Sequence, residues 1–227
     1  MSTASLKLEL ESLLRERRLH ADGPPLRGVR RLSPLSTGIA AIDDLLGGGL
    51  PRGQLSEVHG SASSGRTGLA LALAARTTQA GALAAWVDPA DRLDPASAAA
   101  TGVDLTRLFW LRGDGRSLAK AASAVATLLG SGLFETLVLD LVGLPASELQ
   151  RLPAATWIRL QRMAEGQSAA LLLLAASHVA RGPGGVSLTL AAKGPLWSGA
   201  GPGRLLCGLD AEAHASRLAK AALELRL

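Results

Sequence analysis

The sequence predicts an α/β protein with a doubly wound, mostly parallel sheet flanked by helices. From residue 54 onward, short apolar runs alternate with longer segments rich in alanine and leucine, as in βα units around a parallel sheet. The first run leads into a glycine- and serine-rich loop, and a later one ends in an aspartate. With 227 residues and 48% hydrophobic composition, the chain can bury one large core.

Five apolar runs are predicted as strands, and three alanine-rich segments as crossover helices. The strands are Gln54–His59, Ala82–Val87, Leu108–Leu111, Leu137–Val142 and Ala169–Ala176, and the helices are Thr67–Ala80, Ser117–Leu129 and Ala154–Ala164. Gly81 and Gly130 follow the first two helices as C-terminal stops. Beyond the fifth strand the pattern weakens: residues 182–185 indicate a loop, Val186–Leu190 alternates like a strand, and Leu223–Leu227 fits a helix end or an edge strand.

The first 34 residues are predicted to precede a core domain that spans residues 35–227. Within residues 5–19, leucines recur at helical spacing and charges occupy the other faces, which predicts a short amphipathic helix. The leucines are Leu6, Leu10, Leu13 and Leu14, and the charged residues include Glu9, Glu11, Arg15, Arg17 and Arg18. Residues 20–34 indicate a linker rich in Pro, Gly and Arg. The helix can pack on its own domain or dock on another chain.

The chain is basic, with a formal net charge of +5 and a pI near 10.3, which is compatible with binding a polyanion. It has no tyrosine, two phenylalanines and four tryptophans, so any nucleic-acid contact is expected to be made largely to phosphates. The candidate contacts are Arg27, Arg30, Arg31, Arg181, Lys193 and Arg204. These cations fit a solubilising basic surface equally well.

The sequence predicts a cytoplasmic protein. It contains no uninterrupted run of about 18 apolar residues, and charges begin at Lys7, so neither a membrane span nor a signal peptide is predicted. The single cysteine, Cys207, excludes an internal disulfide and, without neighbouring thiols or paired histidines, a zinc cluster.

The loop after the first strand, Gly60-Ser61-Ala62-Ser63-Ser64-Gly65-Arg66-Thr67, has the spacing of a phosphate-binding loop except at the lysine position. Its glycines let backbone N–H groups surround an anion at a helix N-terminus. Arg66 replaces the lysine that would reach the terminal phosphates, and its longer, forked side chain need not occupy the same position. Thr67 keeps the hydroxyl suited to Mg²⁺. A purely structural Gly/Ser turn is the alternative.

The second candidate motif is the run Leu137-Val138-Leu139-Asp140, about 70 residues after the loop, where an acid is expected to end a strand. Asp140 could orient a water bound to Mg²⁺, with Thr67 as the other magnesium residue. An aspartate at a strand end is by itself more often a cap or a solvated loop residue. The pairing with the phosphate loop favours a nucleotide-binding fold.

A series of short motifs surrounds these two. They are Leu35-Ser36-Thr37-Gly38-Ile39, Ile42-Asp43, the Gly-Gly-Gly-Leu-Pro-Arg-Gly run at 47–53, Trp86-Val87-Asp88, Leu93-Asp94-Pro95, Gly102-Val103-Asp104 and Ser131-Gly132. In this order and spacing, residues 35–177 resemble bacterial RecA. The resemblance implies a RecA-type core that binds ATP with Mg²⁺, in which Asp94 matches a residue facing the adenine. The implied nucleotide contacts are Gly60, Ser63, Ser64, Gly65, Arg66, Thr67, Asp94 and Asp140.

The same alignment shows which catalytic and nucleotide-binding residues of RecA this sequence lacks. It puts Ala90 at the family's catalytic glutamate, Ser97 at the tyrosine that stacks on adenine, and Ser177 or His178 near the glutamine that senses the terminal phosphate. Loss of a general base typically lowers a rate by about 10²–10⁴-fold, so fast hydrolysis is not expected. Asp88, or Asp91 one residue past Ala90, is the carboxylate that could replace the base in a slow ATPase.

The family's DNA-binding loops also look reduced. Residues 144–148 run quickly into a helix where the first loop is expected, the candidate second loop at 178–193 carries two cations, and the C-terminal domain is missing, so strand exchange is not expected.

Such a compact chain is similar to the ImuA proteins, accessory proteins of bacterial damage-induced (SOS) translesion synthesis. The similarity implies an adaptor for an error-prone polymerase and a Y-family polymerase-like partner. RecA, single-stranded DNA and a second copy of the chain are further candidate partners. The alternative function is a slow, DNA-stimulated ATPase in DNA repair.

Overall fold

The computed structural model describes residues 32–113, 118–180, 184–216 and 222–226, the last of these by backbone alone. The predicted N-terminal helix at 5–19 and most of the linker lie outside the described residues. So do four of the candidate DNA contacts, Arg27, Arg30, Arg31 and Arg181.

Within the described residues, eight strands form one sheet in the order β3-β2-β4-β5-β1-β6-β7-β8. The strands are β1 Leu55–Gly60, β2 Leu83–Asp88, β3 Leu108–Arg112, β4 Phe134–Asp140, β5 Ala170–Ala175, β6 Ser187–Ser198, β7 Leu205–Ser216 and β8 Ala222–Arg226. The helices are α1 Ala40–Leu46, α2 Arg66–Gln79, α3 Pro95–Ala100, α4 Leu118–Ser131, α5 Ala146–Arg151 and α6 Ala154–Ala164. Strands β1 to β6 pair in parallel, whereas β7 and β8 add antiparallel neighbours. The predicted α/β class with a mostly parallel sheet is confirmed.

Two apolar layers cover the two faces of the sheet. Leu73 of α2 belongs to the layer on one face, and Val125 of α4 and Leu160 of α6 belong to the layer on the other. Strand β4 supplies both layers, because Val138 points into the first and its neighbour Leu137 into the second. Because β1 to β6 run parallel, their carboxyl ends lie along the same side of the sheet. Binding residues of such folds are found on this side.

The five predicted strands of the parallel sheet are present with shifted ends. The largest shift is in β4, which begins at Phe134 and ends at Asp140 rather than continuing to Val142. Helix α4 runs through Gly130 to Ser131, so Gly130 was wrongly predicted as its stop. The left-handed residue that follows is Gly132, with φ 67°. Helix α6 has the predicted bounds.

The C-terminal part departs most from the sequence prediction. Strand β6 continues far beyond Leu190 to Ser198, turns at Gly201–Gly203, and pairs antiparallel with β7. The candidate second DNA-binding loop at 178–193 is therefore shorter than predicted, since its second half is strand. Strand β8 shows that residues 222–226 form an edge strand rather than a helix end. Among the described residues, no helix combines the length and the apolar character that crossing a membrane requires.

Candidate nucleotide-phosphate site

The loop between β1 and α2 lies at the carboxyl edge of the sheet. Gly60 ends β1, and a Cβ there would collide with the backbone carbonyl of Leu190 on β6. Ser63 and Gly65 have left-handed φ values of 58° and 91°, and such residues let consecutive N–H groups form a concave anion nest. Helix α2 begins directly after Gly65 and directs its unpaired N–H groups at the loop. The loop thus has the backbone of a phosphate cradle.

Ser64 adds a polar side chain to this cradle. The residue is 1% exposed, and within the described residues its hydroxyl has no hydrogen-bond partner. Because buried hydroxyls are normally hydrogen-bonded, this one fits a phosphate oxygen. Thr67 is exposed in the first turn of α2. The structure therefore places the predicted loop residues Ser64 and Thr67 beside the N-terminus of α2.

Arg66 is directed into the protein. It is 6% exposed, and its Nη1 donates a 2.5 Å hydrogen bond to the carbonyl oxygen of Ala175, the last residue of β5. Burial lowers the pKa of the guanidinium, and the nearby Asp140 carboxylate opposes that change. The cation therefore connects the phosphate loop with the end of β5.

Two buried carboxylates end neighbouring strands at this edge of the sheet, and Asp140 is the one that interacts with Arg66. Asp140, at the end of β4, is 4% exposed and accepts a 2.9 Å hydrogen bond from the N–H of Val142. Burial, reinforced by the Asp88 carboxylate, raises the pKa of Asp140 to about 6. Asp88, at the end of β2, accepts two backbone N–H groups through Oδ2, while its buried Oδ1 has no partner within the described residues.

The loop and the two strand-end carboxylates fit ATP with Mg²⁺ to different extents. The backbone of the loop and the Ser64 hydroxyl, which has no hydrogen-bond partner within the described residues, fit phosphate. The magnesium side fits only in part. Thr67 offers an exposed hydroxyl, but burial and the neighbouring Asp88 carboxylate raise the pKa of Asp140 and so disfavour its charged form. The described residues contain no group of three or more side chains that could hold a metal ion by themselves.

The carboxylates predicted near the base position and the adenine are engaged within the protein. Asp91 accepts two 2.7 Å hydrogen bonds from Arg112, which lower the pKa of Asp91. Asp94 caps α3, accepting the Ser97 hydroxyl and the N–H groups of Ala96 and Ser97, and these bonds lower the pKa of Asp94. Each carboxylate is therefore already positioned by partners within the protein.

A buried acid that the sequence analysis did not single out lies beneath the predicted sensor position. Glu57, in the middle of β1, is 3% exposed, and its Oε1 accepts a 2.7 Å hydrogen bond from the N–H of Val179. Its Oε2 lies 2.5 Å from Nδ1 of His178. The ring of His178 is 5.7 Å from that of His59, whose pKa burial lowers. Glu57 therefore anchors the segment after β5; its sequence signal is an acid inside an apolar strand.

The two candidate DNA contacts within the described residues lie on the hairpin formed by β6 and β7. The ammonium of Lys193 lies 3.9 Å from a carboxylate oxygen of Glu212. The guanidinium of Arg204 lies over the Trp197 ring, 4.4 Å from its centre. Trp197 is 45% exposed and Leu205 71% exposed. We refer to Trp197, Arg204 and Leu205 as the hairpin tip, which combines a cation with exposed apolar surface.

A groove of about 970 Å³ separates the phosphate loop from the hairpin. One wall consists of residues 63–68, in the loop and the first turn of α2, and Ile39 also lines the groove. The opposite wall comes from β6 and β7 and includes Pro195, Leu206 and Leu209. This loop–hairpin groove therefore joins an anion cradle to a largely apolar surface.

A phosphate loop after the first strand of a parallel sheet, with an aspartate closing another strand at the same edge, defines a P-loop nucleotide-binding core. The model of the RecA N-terminal domain matches residues 27–171. The chain belongs to this family, and the resemblance predicted from its motifs is confirmed for the core.

Three curated relatives show the extent of the similarity. The chain is 40% identical to Protein RecA of Rubrobacter xylanophilus over 127 residues, which are 55% of the chain and 36% of that protein. It is 41% identical to Protein RecA of Chlorobaculum tepidum over 125 residues, 54% of the chain and 36% of the relative. It is 34% identical to Protein RecA of Acidothermus cellulolyticus over 168 residues, which are 71% of the chain and 48% of that protein. The chain thus spans about a third to a half of the length of the curated relatives it matches.

Proposed function

We propose that this chain is a RecA-like accessory protein of bacterial damage-induced translesion synthesis that binds polymerase partners and is not a fast ATPase. The proposal includes the narrower similarity to the ImuA proteins, with an error-prone polymerase and a Y-family polymerase-like protein as the main partners and RecA or DNA as further ones. The observation that carries it is Arg66, because the side chain at the lysine position of the phosphate loop is bonded to Ala175 inside the sheet.

Other residues of the site support slow or absent turnover. Ala90 provides no general base, and the carboxylate of Asp91, one residue further on, is held by Arg112 through both oxygens. If ATP with Mg²⁺ binds, the loop from Gly60 to Thr67 would hold its phosphates and Thr67 with Asp140 would face the magnesium ion. The metal would supply charge neutralisation at the phosphates.

The hairpin tip supports a binding role. Tryptophan and arginine are the residues most enriched among those that dominate binding energy at protein interfaces. Trp197 already stacks with Arg204, so less side-chain freedom is lost when a partner covers the pair. Leu205, 71% exposed, adds apolar surface beside them. We therefore assign polymerase binding to this tip.

Replacement of Trp197 by alanine tests the assignment. If Trp197 is an anchor, its loss should weaken binding of purified polymerase partners by about 2 kcal/mol, or roughly 30-fold. Leu105→Ala is the matched control, because Leu105 is an exposed apolar residue, 41% exposed, outside the hairpin. Surface plasmon resonance with each purified polymerase gives the affinities. Equal affinities for the wild type and both variants would contradict the assignment.

The second candidate function, a slow DNA-stimulated ATPase, is favoured by one observation, the intact cradle with the unpaired Ser64 hydroxyl. A fluorescent ATP analogue with Mg²⁺ should be titrated into the protein with and without single-stranded DNA, while phosphate release is followed. Binding with DNA-stimulated release, lost in Thr67→Ala and Asp140→Ala, would favour the ATPase. If neither nucleotide binding nor phosphate release is detected, the result would favour the adaptor function.

A further inference from the structure

A second pocket, of about 440 Å³, lies between the helices α5 and α6 and the segment that follows β5. One wall is largely apolar and includes Leu149, Leu152 and Trp157, and the other is formed by residues 177–179. The volume falls within the roughly 300–1,000 Å³ typical of ligand pockets. We refer to it as the α5–α6 pocket. The described residues that line it belong to neither the phosphate loop nor the hairpin.

Both walls of the α5–α6 pocket are fixed by the protein interior. Buried Glu57 accepts a 2.7 Å hydrogen bond from the N–H of Val179, and its Oε2 lies 2.5 Å from Nδ1 of His178. In the other wall, Leu149 is 7% exposed and Trp157 3% exposed. Little further ordering is needed when a side chain enters such a pocket. Because the Trp157 ring is covered, it offers no face on which a nucleobase could stack, and the pocket suits an apolar side chain better.

A row of side chains on α6 leads away from this pocket. Ala154 lines the pocket, Ile158 follows four residues later and is 38% exposed, and Arg162 follows after four more. Residues four apart lie on the same side of a helix, and Arg159, three residues before Arg162, lies beside the row. The pocket thus continues through exposed apolar surface to two guanidinium groups.

The two arginines of α6 give this surface an excess of positive charge. Both are exposed, and neither has an ion-pair or hydrogen-bond partner among the residues that the structure describes. The acids nearest to them along the chain are engaged elsewhere: Glu148 pairs with Arg151 on α5, and Glu165, just after α6, accepts a 3.2 Å hydrogen bond from Gln161. A ligand that complements this surface is therefore acidic as well as apolar.

We infer that the α5–α6 pocket and the row from Ala154 to Arg162 form a docking surface for an acidic segment of a partner protein. The inference goes beyond the proposed function and does not rest on it. One bulky apolar side chain of the segment fills the pocket, and its carboxylates bond the guanidinium groups of Arg159 and Arg162. The exposed Gln150 amide and Ser177 hydroxyl at the pocket can bond the backbone of the segment.

The geometry of α6 sets the spacing within this partner segment. Eight helical residues separate Ala154 from Arg162, a distance of about 12 Å along the helix. About four residues of an extended chain span that distance. The partner segment should therefore carry its carboxylates within about four residues of the apolar side chain.

Selection from a phage-displayed library of random peptides tests the inference on the full-length chain. The library is first depleted on the variant Ala154→Trp, in which an indole added at an exposed position fills the pocket. This step removes peptides that bind other surfaces, the hairpin tip included. Peptides then selected on the wild type should contain one leucine, phenylalanine or tryptophan with aspartate or glutamate within about four residues.

Fluorescence anisotropy with a labelled, selected peptide measures the affinity. The double variant Arg159→Glu with Arg162→Glu should bind it at least about tenfold more weakly, because like charges then face each other. Ile158→Glu should weaken binding as well. Arg76→Glu is the matched control, since it reverses an exposed arginine on α2 and should leave the affinity unchanged. Circular dichroism checks that each variant is folded.

A fluorescein-labelled oligothymidylate is the second probe, because phosphates also complement arginine. If the oligothymidylate loses affinity in the double arginine variant while no acidic peptide is selected, the surface binds nucleic acid and the inference is overturned. It is also overturned if no peptide survives the depletion, or if the selected peptides lack acids and bind the double variant as tightly as the wild type.

Discussion

Because Asp140 is buried, its contribution to the stability of the fold should decrease as the pH rises through the weakly acidic range. Its pKa is raised from the ordinary 3.8 to about 6, chiefly because burial penalises the charged form. The folded state therefore holds the proton more tightly than the unfolded state. The resulting stability is fully present below about pH 4 and is lost as the pH rises to about 6. At 1.36 kcal/mol per pH unit, the loss approaches about 3 kcal/mol.

Asp140→Asn isolates this contribution, because the amide oxygen can still accept the Val142 N–H while carrying no charge. We expect the free energy of unfolding of the variant, relative to wild type, to increase by about 2–3 kcal/mol between pH 4 and pH 7. Urea denaturation followed by circular dichroism measures it, and any constant effect of the amide cancels in the comparison. Asp44→Asn, at an exposed position on α1, provides the background. A difference that is the same at both pH values would refute the reasoning.

Three further predictions concern the loop and the hairpin. Gly60→Ala should destabilise the protein by about 1–3 kcal/mol, because its Cβ meets a carbonyl of β6. Gly194→Ala, with nothing within 4 Å, should change the melting temperature little. Arg66→Ala should lower the free energy of unfolding in urea by about 1–3 kcal/mol, since a carbonyl of β5 loses its charged donor. If Lys193 contacts DNA phosphate, Lys193→Ala should reduce the slope of log affinity against log salt by about 0.9 in fluorescence anisotropy, whereas a flat wild-type slope would exclude DNA binding.

The parallel part of the fold was predictable because its strands are short apolar runs buried on both faces. The hairpin formed by β6 and β7 could not be predicted in this way. The outer half of β6 contains Gly194 and Pro195, both poor strand formers, and its pairing with β7 is interrupted by two register shifts. In β7, only alternate alanines at the inner end, such as Ala211 and Ala213, are buried. Alternation is confined to the inner ends of the two strands, and in β7 it is carried by alanines, whose apolar signal is weak, so the sequence predicted only the first few residues of β6.

For the site, spacing predicted which residues meet but not how they are used. The loop and Asp140 could be found from motifs separated by about 70 residues, since both follow strands of one sheet. The inward course of Arg66 could not be predicted, because its acceptor is a backbone carbonyl at the end of β5 and backbone groups leave no residue-specific signal. Glu57 could have been noticed as an acid within the first strand, but its partners, the N–H of Val179 and the ring of His178, lie more than 100 residues away in the sequence.

The hydrogen bond between Arg66 and Ala175 explains how the fold accommodates arginine at the lysine position of the phosphate loop. A guanidinium presents several donors in a fixed plane, so Arg66 can bond the Ala175 carbonyl while remaining close to the Asp140 carboxylate. The charge at this position thus contributes to connecting α2 with β5. Restoring lysine would return a cation suited to phosphate but would leave Ala90 without a base. Arg66 thus contributes to the fold at the loop position where a lysine would be suited to phosphate.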